Sequence, residues 1–430
     1  MKSIRLPICR ARPLLALLVA GLSLFWPMAG KGAERQVLRG HVPAATANLA
    51  PTGRLDRNKH LRLSIGLPPR DPAALAQFLA DLYDPASPNY RKFLTPAQFT
   101  EKFSPTAADY QAVSAFAKTH HLTVTAHPNR LMVSLEGVTA DIEDAFHVRL
   151  QTYRHPQEAR EFYAPDAEPS LDLATPVLHV SGLDDYYLPH SNLRPKPAGR
   201  AGNVVPNDGP TGSAPNGAYS PADLRAAYVP GAALTGAGQS VGLLQFDGFY
   251  PSDVAAYRTQ FGLPNTPTVV VPVDGGIEIV GADNAEVALD IEMASAMAPG
   301  LSTIYVYELN GPWDDVLSRM ASDNLAKQLS CSWTGGPPDP TAEVIFQEMA
   351  AQGQSFFCSS GDNNATTGAF SFPEDSPNIT LVGGTTLTTS GPGGTYVSET
   401  VWNWGGGTGS AGGISTVFGI PSWQNGVSMA

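Results

Sequence analysis

The stretch Asp283-Asn-Ala-Glu-Val-Ala-Leu-Asp-Ile-Glu-Met-Ala-Ser-Ala-Met-Ala298, closed by Pro299-Gly300, is a nearly unbroken run of helix formers. Its Glu286 and Asp290 stand four residues apart, which puts both carboxylates on one helical face. Ala285, Val287, Ala288, Leu289, Ile291, Met293, Ala294, Ala296 and Met297 surround them. Such a helix is expected to be apolar nearly all round and buried between layers. Two carboxylates drawn into a low-dielectric interior are tolerated when they share protons or hydrogen-bond partners. A solvated acidic pair is the competing reading, because Asp and Glu are almost never fully buried. The apolar surroundings weigh against it.

Around this helix the apolar strands 240–246, 303–307, 329–333, 355–359 and 379–383 alternate with helices over 252–261, 313–324 and 341–352. Strands apolar on both faces that alternate with helices predict a parallel α/β sheet. Sites on such sheets gather at the carboxyl ends of strands. Ser359-Ser-Gly-Asp362 follows one such end, although an aspartate there is also a common turn residue.

All nine histidines fall in residues 1–190, so residues 191–430 have neither a Ser-His-Asp triad nor His metal ligands. Cys331 and Cys358 sit in short apolar runs and are expected to be buried thiols without an activating neighbour. Charge is uneven: 20 Lys and Arg against 18 Asp and Glu in residues 1–190, and 7 against 21 in residues 191–430. The absence of a basic stripe argues against nucleic acid as a partner. The acidic excess self-repels at neutral pH and suits an acid working environment.

At the amino end, Lys2, Arg5, Arg10 and Arg12 precede the apolar run Leu14-Leu-Ala-Leu-Leu-Val-Ala-Gly-Leu-Ser-Leu-Phe-Trp26, the pattern of a secretory leader. Residues 1–33 are therefore expected to be a signal peptide, leaving a secreted, extracellular protein with no membrane attachment. Residues 34–190 read as a compact α+β domain, with strands at 61–67, 122–126, 131–135, 147–153 and 177–180. Its helices are expected at 72–83 (N-capped by Asp71), 107–120 and 139–146. Residues 191–217 are rich in Pro, Gly and Asn and read as a linker open to proteolysis.

Taken in order, the motifs resemble the sedolisin family of serine-carboxyl peptidases. Ser87-Pro-Asn-Tyr-Arg-Lys-Phe-Leu-Thr-Pro-Ala-Gln-Phe-Thr-Glu-Lys-Phe-Ser-Pro105 looks like the signature of its activation domain. Tyr219-Ser-Pro-Ala-Asp-Leu-Arg-Ala-Ala-Tyr228, Glu286-Val-Ala-Leu-Asp290, Ser332-Trp333, Ser359-Ser-Gly-Asp362, Phe372-Pro373, Val382-Gly-Gly-Thr-Thr-Leu387 and Pro421-Ser-Trp-Gln424 follow in the family's order. The resemblance implies a ferredoxin-like α+β pro-kumamolisin-type activation domain over 34–190, acting as an intramolecular inhibitor. It also implies a subtilisin-like, incomplete parallel sheet with flanking helices over 218–430. The implied activity is endopeptidase cleavage of proteins or peptides at acid pH. Glu286 would be general base for a serine, Asp290 would hold and tune Glu286, and Asp362 would be the oxyanion-hole acid.

The chain departs from the family after Gln424. The family's Ser-Gly-Thr-Ser-x-x-x-Pro nucleophile segment follows that point, and its calcium loop lies further on. Thr408-Gly-Ser410 precedes Pro421 and does not stand in for the nucleophile. Calcium is thus expected of a full-length chain, with no ligand assigned here, and the 430 residues alone are expected to be inactive. The alternative is a non-catalytic binding or inhibitory protein that keeps the activation domain and part of the peptidase fold. The confinement of histidines to the first half further suggests that acid charges His120, His121, His147 and His179 and loosens the activation domain.

Overall fold

The computed structural model describes residues 35–193 and 212–427. The leader expected over 1–33 lies outside the described residues, as does most of the expected linker.

In the amino-terminal domain, β1 (His60–Gly66) is followed by α1 (Pro72–Tyr83), α2 (Pro96–Phe103) and α3 (Ala107–Thr119). Then come β2 (Thr123–Ala126), β3 (Met132–Val138), α4 (Thr139–Phe146) and β4 (His179–Ser181). The strands pair antiparallel in the order β2-β3-β1-β4, the ferredoxin-like arrangement expected. Period-two patterning puts Leu61, Leu63 and Ile65 of β1 into one core with Val113, Phe116, Ile142 and Phe146 of α3 and α4. Asp71 caps α1 through a 2.9 Å bond from the Ala74 amide. Helix α2, which the sequence reading left unassigned, is set by a capping box between Thr95 and Gln98.

The second domain is built on β6 (Ser240–Gln245), β7 (Thr268–Val273), β8 (Thr303–Leu309), β9 (Gln328–Cys331), β11 (Ser355–Ser359) and β12 (Thr380–Val382), after β5 (His190–Ser191) and beside β10 (Trp333–Thr334). The sheet runs β7-β8-β6-β9-β11-β12, parallel at every pairing. Helices α5 (Pro221–Tyr228), α6 (Pro251–Phe261), α7 (Asn284–Met297), α8 (Trp313–Asp323) and α9 (Pro340–Ala351) complete it. This is the expected subtilisin-like layered α/β architecture. Strand β6 leads outward to β7 on one side and neighbours β9 on the other, so a switch point lies at its carboxyl end. Cys331 and Cys358 are opposite one another on β9 and β11, buried and free.

One expectation needs correction. Helix α7 is not buried all round: Glu286, Val287, Ile291, Ser295 and Ala296 face inward, while Ala285 is exposed and most others are half-covered. The reason is its position as an outer-layer helix against α5, α6 and β6, whose alanines need no cover.

The two domains share a core. Leu75, Phe99, Phe103, Leu131 and Met132 of the first pack in one cluster with Val316, Met320, Ile345 and Met349 of α8 and α9. Polar contacts surround that seam. Asp314 accepts from Ser64 Oγ at 2.9 Å and from Ser181 Oγ at 2.8 Å. Glu348 accepts from Asn129 Nδ2 at 2.8 Å, and Asp315 accepts from Ser134.

Candidate active site

The switch point collects side chains from three strand ends and one helix. Gln245 is the last residue of β6, Ser332 follows β9, and Asp362 lies three residues beyond β11. Glu286 and Asp290 come from the first two turns of α7, so the structure brings Glu286, Asp290 and Asp362 into one electrostatic neighbourhood.

Each carboxylate has defined partners. Asp290 accepts from Ser332 Oγ at 2.8 Å through one oxygen and from Gln245 Nε2 at 2.7 Å through the other. Gln245 Oε1 accepts from Trp333 Nε1 at 2.7 Å. An indole N–H can only donate, so Trp333 fixes which end of the Gln245 amide faces Asp290. Glu286 Oε2 accepts from Ser191 Oγ at 2.7 Å.

Burial first, and then the charge of Asp290, pushes Glu286 up to about 7 against the hydrogen bonds of Ser191 and Ser332; the charge of Asp362 adds to the rise. Burial raises Asp290 to about 6, with Gln245 and Ser332 opposing. Two neighbouring acids of this kind hold protons as a pair into the mildly acid range. With Glu286 raised to about 7, the pair keeps at least one proton in acid, and Glu286 accepts a proton from an alcohol only in the fraction of molecules in which it is ionised.

The strand β5 belongs to the same site. It pairs antiparallel with β10, His190 opposite Thr334 and Ser191 opposite Trp333. The chain leaving the amino-terminal domain therefore crosses the switch point as an added strand. Sequence reasoning named Glu286, Asp290 and Asp362 but missed Gln245 and Ser191. A polar residue ending the otherwise apolar run Val241-Gly-Leu-Leu-Gln245 was the available signal for the first; nothing local marked the second.

Residues 47–186 match the family described as Pro-kumamolisin, activation domain. Kumamolisin of Bacillus sp. (strain MN-32) is 28% identical over 417 residues, covering 91% of this chain and 74% of that protein. Xanthomonalisin of Xanthomonas sp. (strain T-22) is 28% identical over 443 residues, covering 87% of this chain and 52% of that protein. Sedolisin of Pseudomonas sp. (strain 101) is 28% identical over 415 residues, covering 88% and 69%. The chain is thus similar to sedolisin-type peptidases over most of its length, and residues 47–186 match their activation domain. A solved structure described as Pseudomonas sedolisin, a serine-carboxyl proteinase, aligns with TM-score 0.42 at 26% identity over 48% of this chain and 65% of that one. Among the described residues no group of three or more His, Cys, Asp or Glu side chains could hold a metal ion.

Proposed function

We propose that this protein is the secreted zymogen of an endopeptidase that works in acid. Glu286 takes the proton of an attacking serine hydroxyl and returns it to the leaving amine. Asp290, held by Ser332 and Gln245, orients Glu286 and keeps its proton affinity high. Asp362 donates a hydrogen bond to the developing oxyanion, a contribution of about 3–4 kcal/mol per donor in serine peptidases. The observation that carries this reading is the 2.7 Å bond from a serine hydroxyl to Glu286, backed by a second acid on the same helix face. Ser191 is not assigned as the nucleophile, because it belongs to the strand that fills the cleft; no residue of the sequence is given that role. Secretion is supported by the leader-like first 33 residues, and among the described residues no helix is long and apolar enough to cross a membrane.

The test needs a product that carries the nucleophile segment: the pH profile of protein hydrolysis by such a full-length protein, as wild type, Glu286→Gln and Asp362→Asn. Activity confined to acid and neutral pH, and lost by a factor of about 100 or more in each variant, is the expected result. Hydrolysis that keeps rising above pH 8, or that survives Glu286→Gln, overturns the assignment.

A further inference from the structure

The carboxyl end of β6 holds α7 at two points, and one of them lies outside the acid pair. Gln245, the last residue of the strand, holds Asp290. Two residues on, Asp247 is 6% exposed and bonds to the loop that leads into α7. Its Oδ1 accepts from the amides of Gly248 at 2.7 Å and Gly281 at 2.6 Å, and its Oδ2 accepts from the amide of Asp283 at 2.8 Å. An ionised carboxylate only accepts, so three converging N–H groups match it, whereas an asparagine would turn its NH2 toward one of them.

The last of these bonds leads to the base. Asp283 is the N-cap residue of α7, yet its side chain makes no capping bond, so the first turn has no support from its own cap. Its backbone is held from outside instead. The Asp283 N–H is taken by Asp247, and the Asp283 carbonyl accepts from the Glu286 amide at 3.0 Å. Two hydrogen bonds therefore link Asp247 to the backbone of Glu286. A Cβ on Gly281 would lie 2.8 Å from Asp247 Oδ2, and one on Gly248 would lie 3.2 Å from Val280, so the loop and the strand end approach this closely through two glycines. Glu308, the in-register neighbour of Gln245 on β8, is buried there too and bonds the loop at the Ile277 backbone. Burial, and then the charge of Asp247, push its carboxyl up to about 7, so in acid it stands beside Asp247 as a neutral group.

We propose that Asp247 is a positioning residue for Glu286: it fixes the start of α7 from outside the helix and so keeps Glu286 buried against Asp290. Asp247 has no part in the proton transfer itself. The role rests on the peptidase reading above, which makes Glu286 the base. Without the anchor the first turn of α7 frays, as helix ends without caps do, and Glu286 meets water. Burial first and the charge of Asp290 second raise Glu286, so a frayed first turn lowers the pH at which it titrates.

The test needs no turnover. Carbon-detected NMR titrations follow Glu286 in the full chain as wild type, Asp247→Asn and Gly281→Ala, with Glu348 on the domain seam as the reference. Asp247→Asn removes the charge and one acceptor, whereas Gly281→Ala keeps the charge and crowds the carboxylate off the loop. The groups that face Glu286, namely Asp290, Asp362, Ser191 and Ser332, are unchanged in both. Glu286 is expected to titrate lower by about 0.5 or more on the pH scale in both variants, while Glu348 stays at about 8. A fall in Asp247→Asn alone is an effect of charge, and a fall in Gly281→Ala alone is an effect of crowding. Either overturns the anchor, as does a Glu286 unmoved in both variants or a Glu348 that falls with it through general loosening. These results leave the peptidase reading standing, and hydrolysis that fails in the nucleophile-bearing protein overturns that reading without touching the anchor.

Discussion

At the residue scale, the site depends on proton affinities set by neighbours. Asp290 raises Glu286 by its charge, so Asp290→Asn should make Glu286 titrate at lower pH. A carbon-detected NMR titration reads this directly; a Glu286 titration unmoved by Asp290→Asn would show that burial alone sets it. Gln245→Leu leaves Trp333 Nε1 without its acceptor and removes a donor from Asp290. The expected consequences are a stability loss of about 1–3 kcal/mol in chemical denaturation and an Asp290 that titrates higher, since a bond favouring its charged form is gone. If Asp290 keeps its titration point, Gln245 is merely a packing residue. The pair Glu286 and Asp290 was legible from its i,i+4 spacing. Gln245 and Ser332 reach it from 45 and 42 residues away along the chain, so no local pattern could pair them with Asp290.

At the element scale, the longer helices were readable from their hydrophobic period, while the eight-residue helices α2 and α5 went unassigned although each begins with a capping box. Helix α1 begins where Asp71 and Pro72 place it, and α4 spans the expected 139–146. Strand β7 escaped because Pro272 interrupts its apolar run; the structure tolerates that proline by putting β7 at the edge of the sheet. Helix α8 buries Asp314, Asp315 and Ser318 along with Val316, Leu317 and Met320. Its polar face is covered by the sheet of the amino-terminal domain, not by solvent. That contact is tight at Gly66, where a Cβ would overlap Thr341 of α9. Gly66→Val should therefore push β1 off α9 and destabilise by about 1–3 kcal/mol, as overpacking does. Thermal unfolding checks the size, and faster hydrogen exchange in α9 than in α6 checks the location.

At the scale of the whole molecule, the seam between the domains answers to pH through its carboxylates. Burial raises Asp314 well above its ordinary value and Glu348 to about 8. Asp314 faces Asp339 and Asp315 as well as the hydroxyls of Ser64 and Ser181; Asn129 of the first domain and Gln352 bond Glu348. A carboxyl whose folded value is raised contributes stability that is complete below the unfolded value near 4 and is lost as pH rises through the folded value. Docked domains should thus hold best in acid and loosen between about pH 5 and pH 8. Midpoints of thermal unfolding should fall across that window, and Asp314→Asn should flatten the fall; a midpoint that climbs from pH 5 to pH 8 would reverse the sign. Of the histidines expected to loosen the pro-region, His147 bonds Asp172 within its own domain, whereas His179 stacks on His41, which feels the charge of Asp339 across the seam. His127 also reaches across, 3.4 Å from Asp315 and 3.2 Å from Ser318. By itself the sequence determined the layered parallel sheet, the α+β domain before it and the Glu286–Asp290 pair, because hydrophobic period, capping residues and i,i+4 spacing act within one element; the ferredoxin-like arrangement and the role of Asp362 were implied by the family resemblance. Only the tertiary structure decided that the chain re-enters its own cleft at Ser191 and Asn192, and that buried acids line the seam. Those facts depend on which distant surfaces lose their water together, and burial of that kind has no signature in local order.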